Sequence, residues 1–444
     1  MRLTVSILPK TRQDLSADGL LALLRRRFRK ISDSRTGPDI SLCDALQSGL
    51  ALFALKDPSL LAFDERRHER NLGQLFGIER VPSDTRLREI LDVVNSEELR
   101  AAFNDVFRVL QRGKALEPFA FHGGAFLLAL DGTGYFSSTT VHCSSCLEKV
   151  NRKTGVTTYH HQLLGAAIVH PDFREVIPLA PEPIIKQDGT SKNDCERNAC
   201  RRLLEKIRSE HPHLKLIVIE DALASNAPHI ADLARQRMSY ILGAKPGDHA
   251  FLFDKWIEAH DAGEVTTLAW DLPKGHTCEL SFTHDLPLNE SHQDVRVNFL
   301  EYIETAPDGN IVKRFSWVTD LEITRDNARH LMEGARSRWK IENETFNTLK
   351  NQGYHFEHNF GHGDKNLSVV FAMLMMLAFL VDQTQQLCCP LFQAVLAKLG
   401  SRRSLWDKLR SHFYHFGFTC MRHLYEVMLL DLARGVPAPE VDTG

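Results

Sequence analysis

Ala125-Phe126-Leu127-Leu128-Ala129-Leu130-Asp131-Gly132-Thr133-Gly134 is a continuous apolar run that stops on a carboxylate and two glycines. Apolar residues in an unbroken row, closed by turn-forming residues, predict a short strand buried on both faces. A second run of the same kind, Leu216-Ile217-Val218-Ile219, closes on Glu220-Asp221 and leads into a helical stretch. Between the two, residues 135–142, 157–170 and 175–184 read as β-rich and suggest an antiparallel meander. Residues 194–209 read as a helix, with Ser191 as a capping-box candidate.

The resulting order, β-β-β-α-β-α, predicts an α/β fold of the ribonuclease-H-like kind. Upstream, residues 1–118 read as mainly helical, with apolar residues at helical spacing and Ser83 as an N-cap before Leu87-Arg88-Glu89-Ile90-Leu91. Downstream, residues 266–270, 277–282, 295–304 and 314–318 look like strands, with turns at Pro273-Lys274-Gly275 and Asp308-Gly309-Asn310. The expected organisation is a helical N-terminal domain (1–118), the first part of an α/β core (119–262) and a β-strand insertion (263–322). The last core helix and its loop (323–365) and a helical C-terminal region with a disordered tail (366–444) complete it.

The chain has 444 residues, 43% hydrophobic and 25% charged, the balance of an ordinary globular protein with room for more than one domain. The net charge of -3 gives no bulk signature of a nucleic-acid binder, so such a role has to come from local patches. Two stand out, Arg25-Arg26-Arg27-Phe28-Arg29-Lys30 and a looser one at Lys398, Arg402, Arg403, Lys408 and Arg410. Either can equally be a solvated helix face. Met1-Arg2-Leu3-Thr4-Val5-Ser6 does not read as a signal peptide, and the most apolar window, 367–380, is shorter than the roughly 20 residues that span a bilayer. A cytoplasmic protein without a membrane segment is expected. Nine cysteines, odd in number and scattered, argue for thiols or metal ligands over a disulfide framework.

Asp131 and Asp221 each close an apolar run, and ligand groups in α/β sheets favour the carboxyl ends of strands. A third acid, Glu342, lies in Arg338-Trp339-Lys340-Ile341-Glu342-Asn343-Glu344-Thr345-Phe346-Asn347-Thr348-Leu349-Lys350, which reads as a helix anchored by Trp339, Ile341, Phe346 and Leu349. Three carboxylates from strand, strand and helix make a hard-oxygen cluster suited to Mg²⁺ or Mn²⁺. Taken singly, the residues have plainer readings. Asp131-Gly132-Thr133-Gly134 makes a hairpin turn, Asp221 a helix N-cap, and Glu342 a surface partner for Arg338.

On these residues the chain resembles the DDE transposases of bacterial insertion sequences with a Y-x2-R-x3-E-x6-K signature, over about residues 80–365. Arg338-Trp339-Lys340-Ile341-Glu342 looks like the core of that signature. Leu130-Asp131-Gly132-Thr133, Ile219-Glu220-Asp221-Ala222 and Val81-Pro82-Ser83-Asp84-Thr85-Arg86 support it. The tyrosine position holds Ala335, and the lysine, Lys350, comes one residue late, so Glu344 stays open as the third acid. The resemblance implies that Asp131, Asp221 and Glu342 bind two Mg²⁺ ions, that DNA is nicked at the element's ends, and that the freed 3′-hydroxyl attacks target DNA. It further implies Arg338 and Lys350 as phosphate contacts near the cleaved bond. DNA binding would fall to the N-terminal helices, with Arg25, Arg26, Arg27, Arg29 and Lys30, and to the β insertion, and a homodimer would form in a synaptic complex. A stand-alone nuclease of the same fold and a catalytically inactive DNA-binding descendant are the alternatives.

Cys143 and Cys146, in C-x2-C spacing, with His160 and His161 downstream, are candidate ligands for a structural Zn²⁺, or else thiols and imidazoles on neighbouring strands without a metal. Cys195 and Cys200 are expected on a helix, facing the core. Tyr354-His355-Phe356-Glu357-His358-Asn359-Phe360-Gly361-His362 reads either as a DNA-contacting or site-lining loop, with aromatics to stack on bases, or as a plain helix connector.

Overall fold

The computed structural model describes residues 12–186 and 194–430. Ser191, the start of the chain and the tail from Gly435 lie outside them.

The N-terminal stretch is helical, as the apolar spacing predicts: α1 (Ala17–Phe28), α2 (Leu42–Ala54), α3 (Leu60–Asp64), α4 (Arg70–Phe76), α5 (Asp84–Asp92) and α6 (Arg100–Arg112). Ser83 caps α5, its side chain accepting from the Arg86 N–H. Next come β1 (Phe126–Ser138), β2 (Leu147–Val150), β3 (Thr157–Val169) and the short β4 (Ile177–Pro178) and β5 (Glu182–Ile184). α7 (Glu196–Glu210), β6 (Leu216–Glu220), α8 (Ala227–Arg235), β7 (Ser239–Ala244) and α9 (Ala250–Asp261) follow. The expected turn at Asp131-Gly132-Thr133-Gly134 is absent. β1 continues through it, because β3 pairs with it from Leu127 to Ser138, Asp131 opposite Gly165, with a bulge between Gly134 and Phe136.

β8 (Thr266–Asp271), β9 (Thr277–Asn289), β10 (His292–Thr305) and β11 (Ile311–Thr319) are the four strands expected there, longer than their apolar cores. They extend the central sheet, since β11 pairs with β7 and the strand order is β2-β3-β1-β6-β7-β11-β10-β9-β8. β1, β6 and β7 are mutually parallel, and β4 and β5 pair with β3. The molecule is thus mixed α/β around one large mixed sheet.

α10 (Ala328–Arg336), a π-helical turn (Ile341–Phe346) and α11 (Asn347–Asn351) precede α12 (Leu367–Cys388), α13 (Pro390–Leu399), α14 (Arg402–His415) and α15 (Met421–Leu430). α12 packs against α2, α5 and α6, so the first and last parts of the chain share one apolar core. Asp92 starts α12 by accepting the backbone N–H groups of Asp364, Lys365, Asn366 and Leu367. The apolar segment is longer than the 367–380 window. Its 22 residues would suffice by length and composition to cross a membrane, and its most apolar window is buried within the protein, as a core helix is.

Candidate active site

Parallel pairing sets the first two acids side by side. Ala129 stands level with Ile219 in the β1–β6 pair, so two residues further on Asp131 comes level with Asp221 on the same face. Asp221 also caps a 3-10 turn, Ala222–Ala224, its Oδ1 accepting from the Leu223 N–H at 2.9 Å. Capping uses that one oxygen, and Asp221 also lines the cleft described below.

Glu342 arrives on an irregular helix. Across the π turn the Asn347 N–H reaches back five residues to the Glu342 carbonyl. A π turn holds one more residue than an α turn. That turn lies between Arg338 and Lys350, the lysine that comes one residue late in sequence. The turn rests on Gly165, opposite Asp131: a Cβ there would stand 2.8 Å from Phe346 Cζ and 3.6 Å from Ile341 Cδ1. Ile341, Phe346 and Leu349 are buried as expected, while Trp339 is 47% exposed and does not anchor the helix.

Asp131 registers this crowding. Burial pushes its carboxyl up to about 6, and the negative charges of Asp221 and Glu342 act in the same direction. Arg338 opposes them, its Nη1 lying 3.4 Å from Asp131 Oδ2. Glu344 is turned elsewhere, 3.1 Å from Arg174 and 3.8 Å from Arg402. Asp131, Asp221, Glu342 and Arg338 are therefore brought together and Glu344 is not.

A fourth acid joins them that the sequence reading missed. Glu196 begins α7 and lies over Gly132, where a Cβ would fall 2.3 Å from its Oε1. Burial, then the charge of Asp221, raises its carboxyl. An acid in a first helical turn is an ordinary sight in sequence, and nothing local says which strand that turn covers. A cleft of about 780 Å³ opens beside Asp131, Gly132, Glu196 and Asp221, with a Glu220–His229 pair at 2.6 Å on its wall.

Other expected residues lie differently. Lys350 pairs with Glu357 at 3.0 Å and lines a cleft with Lys56, His355, Arg403 and Arg410, away from the acids. In the N-terminal basic run, Arg27 is held by Asp105 at 2.6 Å and Arg25 by Glu79 at 3.3 Å, whereas Arg26, Arg29 and Lys30 are exposed. In the C-terminal run, Arg402 bonds Gln386 Oε1, Arg410 bonds the Lys56 carbonyl and Lys398 the Leu429 carbonyl, so much of that patch serves internal contacts.

Cys143, Cys146 and His161 converge as expected, and the fourth group is His362 in place of His160. On β3 adjacent residues point to opposite faces, so His160 and His161 cannot both turn to one centre. The loop carrying His362 is no stacking platform either. Tyr354, Phe356 and Phe360 are buried, because the loop folds back onto α12 and α2. Cys200 is buried as expected, but Cys195 precedes α7 as its exposed N-cap.

A family model described as the transposase DDE domain matches residues 137–380, more than half of the chain. The matched span contains Asp221, Arg338 and Glu342 and opens on β1 downstream of Asp131. No curated protein matches the chain. With the sheet, the converging acids and the Arg338–Glu342 helix on one side and this match on the other, the chain belongs to the DDE transposase family.

Proposed function

We propose that this transposase cuts DNA at the ends of its element and joins the resulting 3′-hydroxyl to target DNA, with Asp131, Asp221 and Glu342 as its acid triad. The observation that carries the reading is their convergence from β1, β6 and the π turn around one mutually repelling cluster. The strand arrangement, three antiparallel strands followed by two parallel ones with helices between, supports a ribonuclease-H-like core. The helical segments before and after it and the β8–β11 extension are proposed as its flanking regions, with the exposed Arg26, Arg29 and Lys30 as DNA contacts of the first.

Members of the family work with divalent metal ions, and the donor set suits hard cations. Asp131 has Arg338 beside it and the charges of Asp221 and Glu342 near it, and burial first, then those charges, raises its carboxyl. Asp131, Asp221 and Glu342 would hold two Mg²⁺ or Mn²⁺ ions, whose charge stabilises the attacking and leaving oxygens of an in-line phosphoryl displacement. Arg338, 3.4 Å from Asp131, is placed to swing between that carboxylate and a DNA phosphate. Glu196 adds negative charge on the Asp221 side from α7. The cleft beside the acids has room for a bent backbone segment. Two copies of the chain would bridge two element ends.

The test is a strand-transfer assay with the element's terminal inverted repeats, target DNA and Mg²⁺. Joined product is expected. Cleavage without joining would replace the reading by a stand-alone nuclease, and neither product would leave a DNA-binding descendant.

A further inference from the structure

The Cys143, Cys146, His161 and His362 cluster belongs to none of the phosphoryl-transfer chemistry. Its side chains come from three places: the turn between β1 and β2, strand β3, and the segment that follows α11. Both cysteines are free thiols, with Cys146 and His161 each only 1% exposed. Their ligand atoms lie within 4.8 Å of one another.

The spacings match one geometry. Sulfurs about 2.3 Å and imidazole nitrogens about 2.05 Å from a tetrahedral centre stand about 3.8 Å apart for S–S and about 3.6 Å for S–N. Here Cys143 Sγ and Cys146 Sγ are 3.8 Å apart. His161 Nε2 is 3.4 Å from each sulfur, and His362 Nε2 is 3.4 Å from Cys146 Sγ. The other ring nitrogen of His362, Nδ1, lies 3.4 Å from Asn359 Oδ1, the outer contact that orients a ligating imidazole. Two thiolates and two imidazoles are a soft, doubly charged set that selects Zn²⁺ over Mg²⁺.

The geometry points to a structural Zn²⁺ site made of Cys143, Cys146, His161 and His362, which ties the segment after α11 to the edge of the sheet. The ties beside it run the same way. Ser144 Oγ donates to the Asp364 carbonyl at 3.3 Å and Ser145 Oγ to the Lys365 carbonyl at 3.4 Å. The site closes a ring: from Asp131 along β1 to Cys143, across the ion to His362, and back through α11 to Glu342. Zinc thereby fixes the helix of one acid against the strand of another, a positioning role that rests on the acid triad proposed above.

Metal analysis of the purified full-length chain, with cobalt(II) replacement, tests this without DNA. One zinc per chain is expected in the wild type and in His160→Ala, and strong loss in His362→Ala and Cys143→Ser. Cobalt(II) added to chelator-stripped wild-type protein should give the intense visible bands of a tetrahedral thiolate site, unchanged by excess Mg²⁺, a readout that needs no variant to fold. A wild type without stoichiometric zinc and without those bands overturns the site. Metal lost in His160→Ala and kept in His362→Ala overturns its ligand set. Full cleavage by zinc-free protein overturns the positioning role, whereas an inactive Asp131→Ala that keeps its zinc bears only on the triad.

Discussion

Asp131 at the sheet and Asp382 in the helical layer are two carboxylates that burial pushes upward, and they are treated in opposite ways. Asp382, on α12, meets Lys56 Nζ at 2.7 Å and the Tyr354 hydroxyl. Lys56 is itself wholly buried, its ammonium 4.1 Å over the rings of both Tyr354 and Trp406. Asp131 has one arginine at 3.4 Å and other acids as further neighbours, beside an open cleft. The first arrangement satisfies a buried charge so that distant parts of the chain hold together. The second leaves charge unbalanced where a cation and a phosphate would enter. A half-buried acid beside other acids at a cleft, its carboxyl pushed up by burial first, marks a candidate functional site.

The contrast breaks most sharply on activity. Asp131→Ala, Asp221→Ala or Glu342→Ala should each lower DNA cleavage by about 10³-fold or more, since cation stabilisation is worth several kcal/mol and each 1.36 kcal/mol is tenfold. Glu344→Ala should stay near wild type in the same gel assay. The reverse pattern for Glu342 and Glu344 would move the third corner of the triad.

Stability comes second. Asp382→Ala takes from the buried Lys56 its carboxylate partner, and should cost about 3–5 kcal/mol in chemical denaturation. A loss below about 1 kcal/mol would mean that the pair does not hold the layers together.

The smallest effect has the opposite sign. The carboxyl of Asp131 sits at about 6 in the folded protein, above its ordinary value of 3.8. Its contribution to stability is complete below that ordinary value and is lost as pH rises through about 6. At pH 7 without divalent ions, Asp131→Asn should therefore stabilise the protein, by on the order of 1–2 kcal/mol. Mg²⁺ should raise the Tm of the wild type and not of this variant. A destabilised Asp131→Asn would show that the acid is part of the architecture, like Asp382.

Much of this was legible in the sequence. The two apolar runs closing on acids read as buried strands, as β1 and β6 are, and the Ser83 cap gave the start of α5. The R-x3-E spacing picked out Glu342. What escaped depended on faces and on distance. Trp339 has the composition of an anchor and points outward. Tyr354, Phe356 and Phe360 look like a stacking surface and are core, because α12 lies beneath them. Adjacent histidines on a strand look like two ligands, and alternation of side chains permits one.

By itself the sequence determined the elements and the residue chemistry, because apolar periodicity and the ligand preferences of Asp, Glu, Cys and His are local properties. Only the tertiary structure decided that Glu196 lies over Gly132, that His362 completes the Cys143–Cys146–His161 group and that the helix carrying Glu342 takes a π turn. It also seated that turn on Gly165. Each depends on which surfaces come within contact distance between residues far apart in sequence, or on a hydrogen-bond shift inside one helix, and neither is written in the spacing of residues along the chain.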